Sequence, residues 1–291
     1  MKKNLLGAIC ILALLFFSTG FQLPSLPGVP SDVSKGLGVA TKTAPKAMTA
    51  AREISDSEEY YIGRAVCARI LAKYPLSSNQ PATLYVNQVG QAVARKSSRP
   101  TTYRGYHFAV LDTSEPNAFA CPGGTILITR GLLQECKTED ELAAVLAHEV
   151  AHIAKKDGIN SISKARWTEV LTTAGTEAAK QYGGGVAGNI VGLFEGAIDD
   201  VFKTIVVNGY SRGAEETADR EAVSYLTRAG YNPGALATLL GKMGSKGGGS
   251  GIYRTHPPTS ERLAKVKTLV RETPPSPSEQ NRTKRFQQVK F

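Results

Sequence analysis

The stretch that decides the fold is residues 138–154, Thr-Glu-Asp-Glu-Leu-Ala-Ala-Val-Leu-Ala-His-Glu-Val-Ala-His-Ile-Ala. Thr138 and Glu141 have the spacing of a capping box, so the pattern predicts a helix that begins at Thr138. The alanines that follow make this helix small and apolar on nearly every side, as expected of a closely packed central helix. The polar side chains of His148, Glu149 and His152 therefore need a reason to be buried.

His148 and His152 are spaced to bind one metal ion. Residues four apart on a helix differ by only about 40° around its axis, so both imidazoles can reach the same ion. Glu149 lies between them, within reach of a water molecule that zinc would polarise. Its carboxylate can take a proton from that water and later pass it to a leaving amine. The alternative, two surface histidines on a helix, is disfavoured by the apolar neighbours. The pattern predicts a zinc peptidase with Glu149 as general base.

The third ligand is expected to be a carboxylate, because the next histidine, His256, is far along the chain. Residues 211–219, Ser-Arg-Gly-Ala-Glu-Glu-Thr-Ala-Asp, offer candidates on a second predicted helix. Glu215 and Asp219 are four apart and share a face. Glu215 could bind the metal while Asp219 accepts a hydrogen bond from the other nitrogen of a ligand histidine. A solvated acidic face explains the spacing equally well, so the residues alone leave both interpretations open.

The HExxH stretch and the SRxxExxAD pattern downstream resemble the HtpX/BepA-type gluzincin metallopeptidases of peptidase family M48, a family that also includes the CAAX prenyl endopeptidases. Further segments are similar to motifs of that family: Asn-Ala-Phe-Ala-Cys-Pro-Gly-Gly at 117–124, Thr-Arg-Gly-Leu-Leu at 129–133 and Thr-His-Pro-Pro-Thr-Ser-Glu-Arg-Leu at 255–263. The match runs in order over residues 55–271.

The resemblance implies a complete site. It implies one Zn²⁺ per chain with the ligands His148, His152 and Glu215, the base Glu149, and Asp219 bonded to a ligand histidine. It also implies a substrate-binding strand that pairs with the substrate backbone by strand addition. This strand contains Asn117, Ala118, Phe119 and Ala120.

The chain also departs from the family pattern. It has no further apolar span after its leader and too few residues after Arg271 for a repeat domain, and Cys121 stands where leucine is commoner. The resemblance is therefore to a small, soluble, single-domain member. In some relatives the histidine at the position of His256 approaches the zinc. His256 could have a regulatory or transition-state role at the metal. Alternatively, it packs in the core or caps a helix before Pro257.

The predicted fold class is α+β, a mainly helical zincin-like metallopeptidase domain with a small β-sheet. Helices are expected from Ser55, over 82–96, from Thr138, over 210–229 and from Thr259 to about 271, and strands over 106–112 and 125–129. The predicted organisation is a signal peptide (1–20), a flexible linker (21–52), the metallopeptidase domain (53–272) and a poorly ordered Pro-rich tail (273–291). The Gly-rich stretch 183–196, with the apolar residues up to 207, predicts a mobile cover near the cleft.

The N-terminus predicts export. Lys2 and Lys3 precede the apolar run 5–17, and small residues follow at 18–20, where a signal peptidase could cut. Thirteen apolar residues are too few to span a bilayer comfortably. The predicted location is the bacterial periplasm.

Export permits disulfides, but the sequence does not reveal a pairing. The three cysteines beyond the leader are an odd number, so they cannot all pair with one another, and they show no CxxC spacing. They are Cys67, Cys121 and Cys136. Buried small apolar residues explain them as well, so the sequence leaves open whether any two form a bridge.

The chain is basic, with 35 Lys and Arg residues against 25 Asp and Glu and a formal charge of +10. The basic residues are scattered and accompany no aromatic-rich basic strand. This favours a role in solubility and gives no reason to expect nucleic-acid binding. Association with an anionic membrane surface stays open.

Together these features predict a zinc-dependent metalloendopeptidase that acts on polypeptide substrates, in the quality control of periplasmic or membrane-associated proteins. The quality-control role rests on the resemblance alone. The alternative is a chaperone-like binding protein with a structural or silenced zinc site. A structural site would have four protein ligands and no use for the base Glu149, which favours the enzyme.

Overall fold

A computed structural model describes residues 53–163, 167, 194–246, 251–271 and 274–291. The predicted signal peptide (1–20), the linker (21–52) and residues 183–193 of the predicted cover lie outside the described residues. Within those ranges, no helix combines the length and the apolar character needed to cross a membrane.

Helices surround a small sheet, which confirms the predicted α+β class. The first elements in chain order are α1 (Asp56–Lys73), α2 (Gln80–Ala94), β1 (His107–Leu111), β2 (Ala118–Cys121) and β3 (Thr125–Thr129). They are followed by α3 (Arg130–Glu135), α4 (Glu139–Ala154), α5 (Asp157–Asn160), α6 (Glu195–Lys203), a π-helical turn (Thr204–Asn208), α7 (Arg212–Ala229), α8 (Gly234–Lys246), α9 (Ile252–Thr255), α10 (Ser260–Leu269) and α11 (Pro277–Gln288).

β3 lies between the other two strands. It pairs in parallel with β1 and antiparallel with β2, where Phe119 lies opposite Leu127. The turn from β2 to β3 is Pro122-Gly123-Gly124, and both glycines have positive φ angles, 80° and 118°. Residues with a side chain rarely adopt positive φ angles, which explains the two glycines. The strand order β1-β3-β2 leaves β2 at one edge of the sheet.

The two faces of the sheet belong to two apolar clusters. Ala118 and Ala120 of β2 lie in the cluster that contains α2 and α4. Phe119 and Cys121 lie in the other cluster, with α1 and α6. Side chains alternate in this way along a strand that is buried on both faces. Every residue of α4 from Glu139 to Ile153 is buried, so α4 is the central helix that its alanines predict.

Side-chain caps set the starts of the helices. Before α1, Ser55 and Glu58 form a complete capping box at the predicted start of the helix. Before α4, the Thr138 hydroxyl accepts the N–H of Glu141 at 3.1 Å. The Glu141 carboxylate, however, accepts the N–H of Lys137 at 2.8 Å. Only half of the capping box predicted at Thr138 and Glu141 therefore forms.

The C-terminal tail contains a docked helix, so the prediction of poor order after residue 273 is wrong. In α11, Arg282 donates two hydrogen bonds of 2.8 Å to the carboxylate of Asp140 at the start of α4. Arg285 pairs in the same way with Glu139. Only Phe286 of α11 is a buried apolar residue. Long-range ion pairs hold this helix against α4. Because it has no apolar face, the sequence shows no periodic pattern that would predict it.

Arg282→Ala is expected to lower the free energy of unfolding by about 2–3 kcal/mol, because it removes the charge partner of a buried carboxylate. Asp140 is 1% exposed and keeps a hydrogen bond from the N–H of Asn232, so the loss should stay below that of a fully orphaned charge. Urea unfolding of Arg282→Ala and of Lys284→Ala, an exposed position on the same helix, measures the difference. Equal midpoints for the two variants would contradict a structural role for α11.

Candidate metal centre

α4 presents two imidazoles on one face. The Nε2 atoms of His148 and His152 lie 3.1 Å apart, and both side chains are buried. This is the arrangement that a four-residue spacing on a helix predicts. Glu149 is buried beside the pair, and its Oε1 lies 3.8 Å from Nε2 of His256.

α7 supplies a carboxylate from its first turn. The oxygens of Glu215 lie 3.4 Å from Nε2 of His148 and 3.4 Å from Nε2 of His152. The neighbouring Glu216 points away and pairs with Lys265 of α10 at 2.8 Å. The structure thus brings Glu215, and not Glu216, to the two histidines.

His256 reaches the same cluster from the segment that follows α9. Its Nδ1 lies 2.9 Å from Oε1 of Glu215 and 3.2 Å from Nε2 of His148. The side chain is buried. The structure therefore places His256 among the candidate ligands and not only before a helix.

The donor atoms fit one small divalent ion. Three imidazole nitrogens and one carboxylate oxygen lie within 4.8 Å of one another, and the separations given above range from 2.9 to 3.4 Å. A tetrahedral ion with bonds of about 2.0–2.1 Å requires ligand atoms about 3.3–3.4 Å apart. Buried polar groups this close need protons or a cation between them. These residues could therefore hold one metal ion.

The charges at the cluster favour a cation. Burial lowers the pKa of His148, but Glu215 and Asp219 outweigh burial and raise the value to about 10. Burial raises the pKa of Glu215, but His256 and His148 outweigh it and hold that pKa well below its usual range. A proton on His148 thus offsets the carboxylate charge. A bound metal ion would replace it, because a ligand histidine must be neutral.

Two further carboxylates hold the imidazoles from behind. Asp157 Oδ2 lies in hydrogen-bonding contact with Nδ1 of His152 at 2.8 Å. Asp219 Oδ1 lies 3.0 Å from Nδ1 of His148, a close charge contact without hydrogen-bond alignment. Both contacts leave Nε2 facing the cluster and fix the ring orientation. Asp219 is a predicted contact, whereas Asp157 is not; its only signal is its position five residues after His152.

Arg262 is a buried site residue that the sequence did not single out. Its guanidinium donates hydrogen bonds of 2.7 and 2.8 Å to Asp219. Its Nη1 lies 2.7 Å from Oε2 of Glu215, without hydrogen-bond alignment. Burial raises the pKa of Asp219, but Arg262 and His148 outweigh it and lower the value to about 2. The available signal was the arginine in the segment 255–263.

Tyr210 closes one side of the cluster and was also missed. Its ring stacks on His152, with centroids 4.2 Å and planes 25° apart. Its hydroxyl and Oε2 of Glu149 are buried and find no hydrogen-bond partner among the described residues. Buried polar atoms without a partner beside a candidate site mark positions for water or a ligand. The one feature of the sequence that pointed to Tyr210 is its position directly before Ser211.

The predicted substrate strand is the edge strand β2. The N–H of Thr129 donates to the carbonyl of Asn117, so Asn117 and Phe119 bond to β3, while the backbone of Ala118 and Ala120 points to the other side. The side-chain oxygen of Asn117 accepts the N–H of Ala118 at 2.9 Å. All four residues predicted to bind substrate are buried, so this edge is covered in the structure.

Two segments provide the cover. The N–H of Ile252 in α9 donates to the carbonyl of Pro116 just before β2, at 2.8 Å. Arg254 in turn donates to the carbonyl of Val206 in the π-helical turn, at 3.0 Å. The described part of the predicted cover, 194–207, forms α6 and most of this turn and packs against α1 and β2.

The cavity at the cluster is small. It has a volume of about 20 Å³ and is lined in part by His148, Glu149, His256 and Arg262. That volume holds roughly one water molecule. A cavity of this size is too small to admit a peptide.

Known proteins of similar sequence are proteases. Over 258 residues the chain is 26% identical to the beta-barrel assembly-enhancing protease of Yersinia pestis, a match that covers 84% of this chain and 51% of the relative. It is 28% identical over 201 residues to the mitochondrial metalloendopeptidase OMA1 of Schizosaccharomyces pombe, covering 68% of this chain and 56% of the relative. It is 29% identical over 190 residues to a protease HtpX homolog of Salinibacter ruber, covering 55% and 67%. The chain spans about half the length of the assembly-enhancing proteases that it matches.

The profile described as "Peptidase family M48" matches residues 81–270, more than half of the chain. This range contains α4, α7 and the segment that carries His256, so it includes every residue of the four-donor cluster. The resemblance and the enzyme class predicted from the sequence are thereby confirmed. The chain belongs to peptidase family M48 and carries a metallopeptidase domain.

Proposed function

We propose that this protein is an endopeptidase that uses one zinc ion to hydrolyse peptide bonds in polypeptide substrates. One observation carries the proposal: Oε2 of Glu149, a buried carboxylate oxygen without a hydrogen-bond partner among the described residues, lies beside a cluster of three imidazoles and one carboxylate. Nitrogen donors in a tetrahedral set suit zinc, whereas magnesium and calcium prefer sets made of oxygen. Membership of a peptidase family supports the same reaction.

The residues divide the work between binding and proton transfer. His148, His152 and Glu215 would hold the zinc, which when bound supplies a Lewis acid that polarises a carbonyl group and a water molecule. Glu149 acts as the general base. Its carboxylate takes up a proton through Oε2 and delivers it to the leaving amine when the peptide bond breaks.

Three other side chains position the ligands. Asp157 and Asp219 contact Nδ1 of the two helical histidines, which keeps each Nε2 turned to the metal. Arg262 neutralises the carboxylate of Asp219 from the far side. This chain of contacts links α10 to α7 and α4.

An extended polypeptide would bind by pairing with β2. The outward backbone groups of Ala118 and Ala120 have the spacing that an added strand requires. For pairing, the Asn117 side chain must release the N–H of Ala118, and α9 must move away from Pro116. Because the substrate must be extended, we propose that unfolded or misassembled proteins are the substrates.

His256 fills the position that a substrate needs. Catalytic zinc sites keep three protein ligands and an open fourth position, whereas structural sites are closed by four. With His256 only 2.9 Å from Glu215, the described arrangement is the closed one. Our proposal therefore requires His256 to leave the cluster during turnover.

His256→Ala is expected to keep zinc, because three ligands remain, and to raise the rate of casein cleavage about three- to tenfold, because the closed arrangement no longer competes. His107→Ala, at an exposed position on β1, is the control. Zinc per chain and initial rates are measured on the same samples. A lower rate at full zinc would assign His256 to transition-state stabilisation, and an unchanged rate would make it structural; either result contradicts closure by His256.

The setting that we propose is quality control of misassembled proteins in the bacterial periplasm or at an anionic membrane surface. The basic, then apolar N-terminal sequence and the net positive charge support this setting. One relative is named as a beta-barrel assembly-enhancing protease. Fractionation of cells that express the full chain is expected to recover a shortened protein outside the cytoplasm. A full-length protein in the cytoplasmic fraction would contradict it.

A chaperone-like binding protein is the second candidate, and the four-donor arrangement favours it, because closed sites are typical of structural zinc. The two candidates differ in their effect on unfolded casein. An endopeptidase yields internal fragments, and their formation stops when a chelator removes the metal. A chaperone suppresses aggregation and leaves the casein intact. Glu149→Gln protein, purified in parallel, shows whether a contaminating protease made the fragments.

A further inference from the structure

Two cysteines from different elements meet on the face of the sheet that is turned away from α4. Gly63 of α1 lies so close to the turn after β2 that an added Cβ would be 1.7 Å from the carbonyl oxygen of Pro122. Cys67 follows Gly63 by four residues, on the same side of the helix, and Cys121 directly precedes Pro122. Cys67 packs against the apolar cluster that contains Cys121, and the two thiols are close enough to shift each other's pKa.

Neither thiol belongs to the four-donor cluster, which contains no sulfur. Cys121 points to the apolar cluster that contains α1 and α6. Cys136 is buried in the apolar cluster that contains α4. Among the described cysteines, Cys67 and Cys121 therefore form a pair, with Cys136 as a separate buried thiol.

The two thiols differ in reactivity. Cys67 is partly exposed and Cys121 is buried. The neighbouring Cys121 thiol and the charge of Arg64 lower the pKa of Cys67, although burial opposes them. The neighbouring Cys67 thiol and burial raise the pKa of Cys121. Because the thiolate is the attacking form, Cys67 is the thiol that meets an external oxidant first.

We propose that Cys67 and Cys121 are a disulfide-forming pair that locks α1 to the end of β2. The oxidant is a disulfide, either a small molecule such as oxidised glutathione or a protein donor. The Cys67 thiolate attacks one sulfur of the donor, and the other leaves as a thiolate. The Cys121 thiolate then attacks the Cys67 sulfur and releases the second donor thiolate. The donor is reduced to two thiols, which take up the two protons that the cysteines lose.

The bond would restrain a long part of the chain. It closes a loop from Cys67 to Cys121 that includes α2 and β1, and a loop of this length loses much entropy in the unfolded state when it is closed. Oxidation is therefore expected to raise the melting temperature by about 5–10 °C. It also fixes one end of the edge strand β2.

The test uses the full chain, equilibrated with oxidised or with reduced glutathione. Peptide mapping without reduction is expected to find Cys67 linked to Cys121, and the melting temperature should rise on oxidation. Cys136→Ala should behave like the wild type, whereas Cys67→Ala should show neither the linked peptide nor the rise. Because Cys67 is partly exposed, its variant should keep the fold, which the melting temperature of the reduced protein checks. A linked peptide that contains Cys136, or oxidised wild-type protein with free Cys67 and Cys121, would overturn the proposal.

Discussion

Glu149→Gln should lower the rate of casein cleavage by about a thousandfold or more while the protein keeps its zinc. General acid–base catalysis contributes about 10²–10⁴ to a rate, and an amide cannot take up the proton. Glu149 is not one of the four clustered donors, so metal binding should survive. Its Oε2 has no partner among the described residues, so the replacement breaks no contact of that atom.

Zinc content and initial rates are measured on the same samples. Activity alone does not show whether a variant has lost the general base or the metal. Glu216→Gln is the matched control, since it makes the same change at a carboxylate that pairs with Lys265 away from the cluster. Full zinc with hydrolysis retained in Glu149→Gln would contradict the proposed base. Loss of zinc together with activity would make Glu149 part of the metal-binding set instead.

The second large effect concerns metal affinity. Glu215→Gln is expected to weaken zinc binding about a hundredfold or more, because the amide removes the one charged donor of the cluster. Asp219→Asn should lose about ten- to hundredfold, as is typical when a contact behind a ligand histidine is removed. Glu216→Gln should bind zinc almost normally.

Competition with a coloured chelator measures the three affinities side by side. The order that we expect, from the weakest binding to the strongest, is Glu215→Gln, Asp219→Asn, Glu216→Gln. If Glu216→Gln loses zinc and Glu215→Gln does not, the register of α7 is wrong. Circular dichroism of each variant checks that helix content is unchanged.

The α4 half of the site could be predicted from the sequence, because its information is local. The helix start at Thr138, the alanine surroundings and the spacing of His148 and His152 all lie within one stretch. The α7 half of the site was harder to predict. Adjacent helical residues differ by about 100°, so geometry alone hardly separates Glu215 from Glu216 as partner of Asp219. Only the family resemblance favoured Glu215, which is the residue that the structure brings to the histidines.

The parts that escaped prediction depend on contacts between distant segments. Arg262 and Asp219 are far apart in the chain, and neither of their segments indicates that these two residues form hydrogen bonds with each other. The stacking of Tyr210 on His152 is of the same kind. The helix α11 was missed because ion pairs to α4, and not an apolar face, hold it. Such contacts form only after the chain has folded, so periodicity cannot reveal them.

The measurement that tests the central claim most directly is a zinc titration of metal-stripped protein, followed by the cleavage of unfolded casein. The account predicts no cleavage without metal, a linear rise with added zinc and a plateau at one zinc per chain, because His148, His152, Glu215 and His256 form a single cluster. Cleavage that is independent of zinc, or casein that stays intact when one zinc per chain is bound, would contradict it.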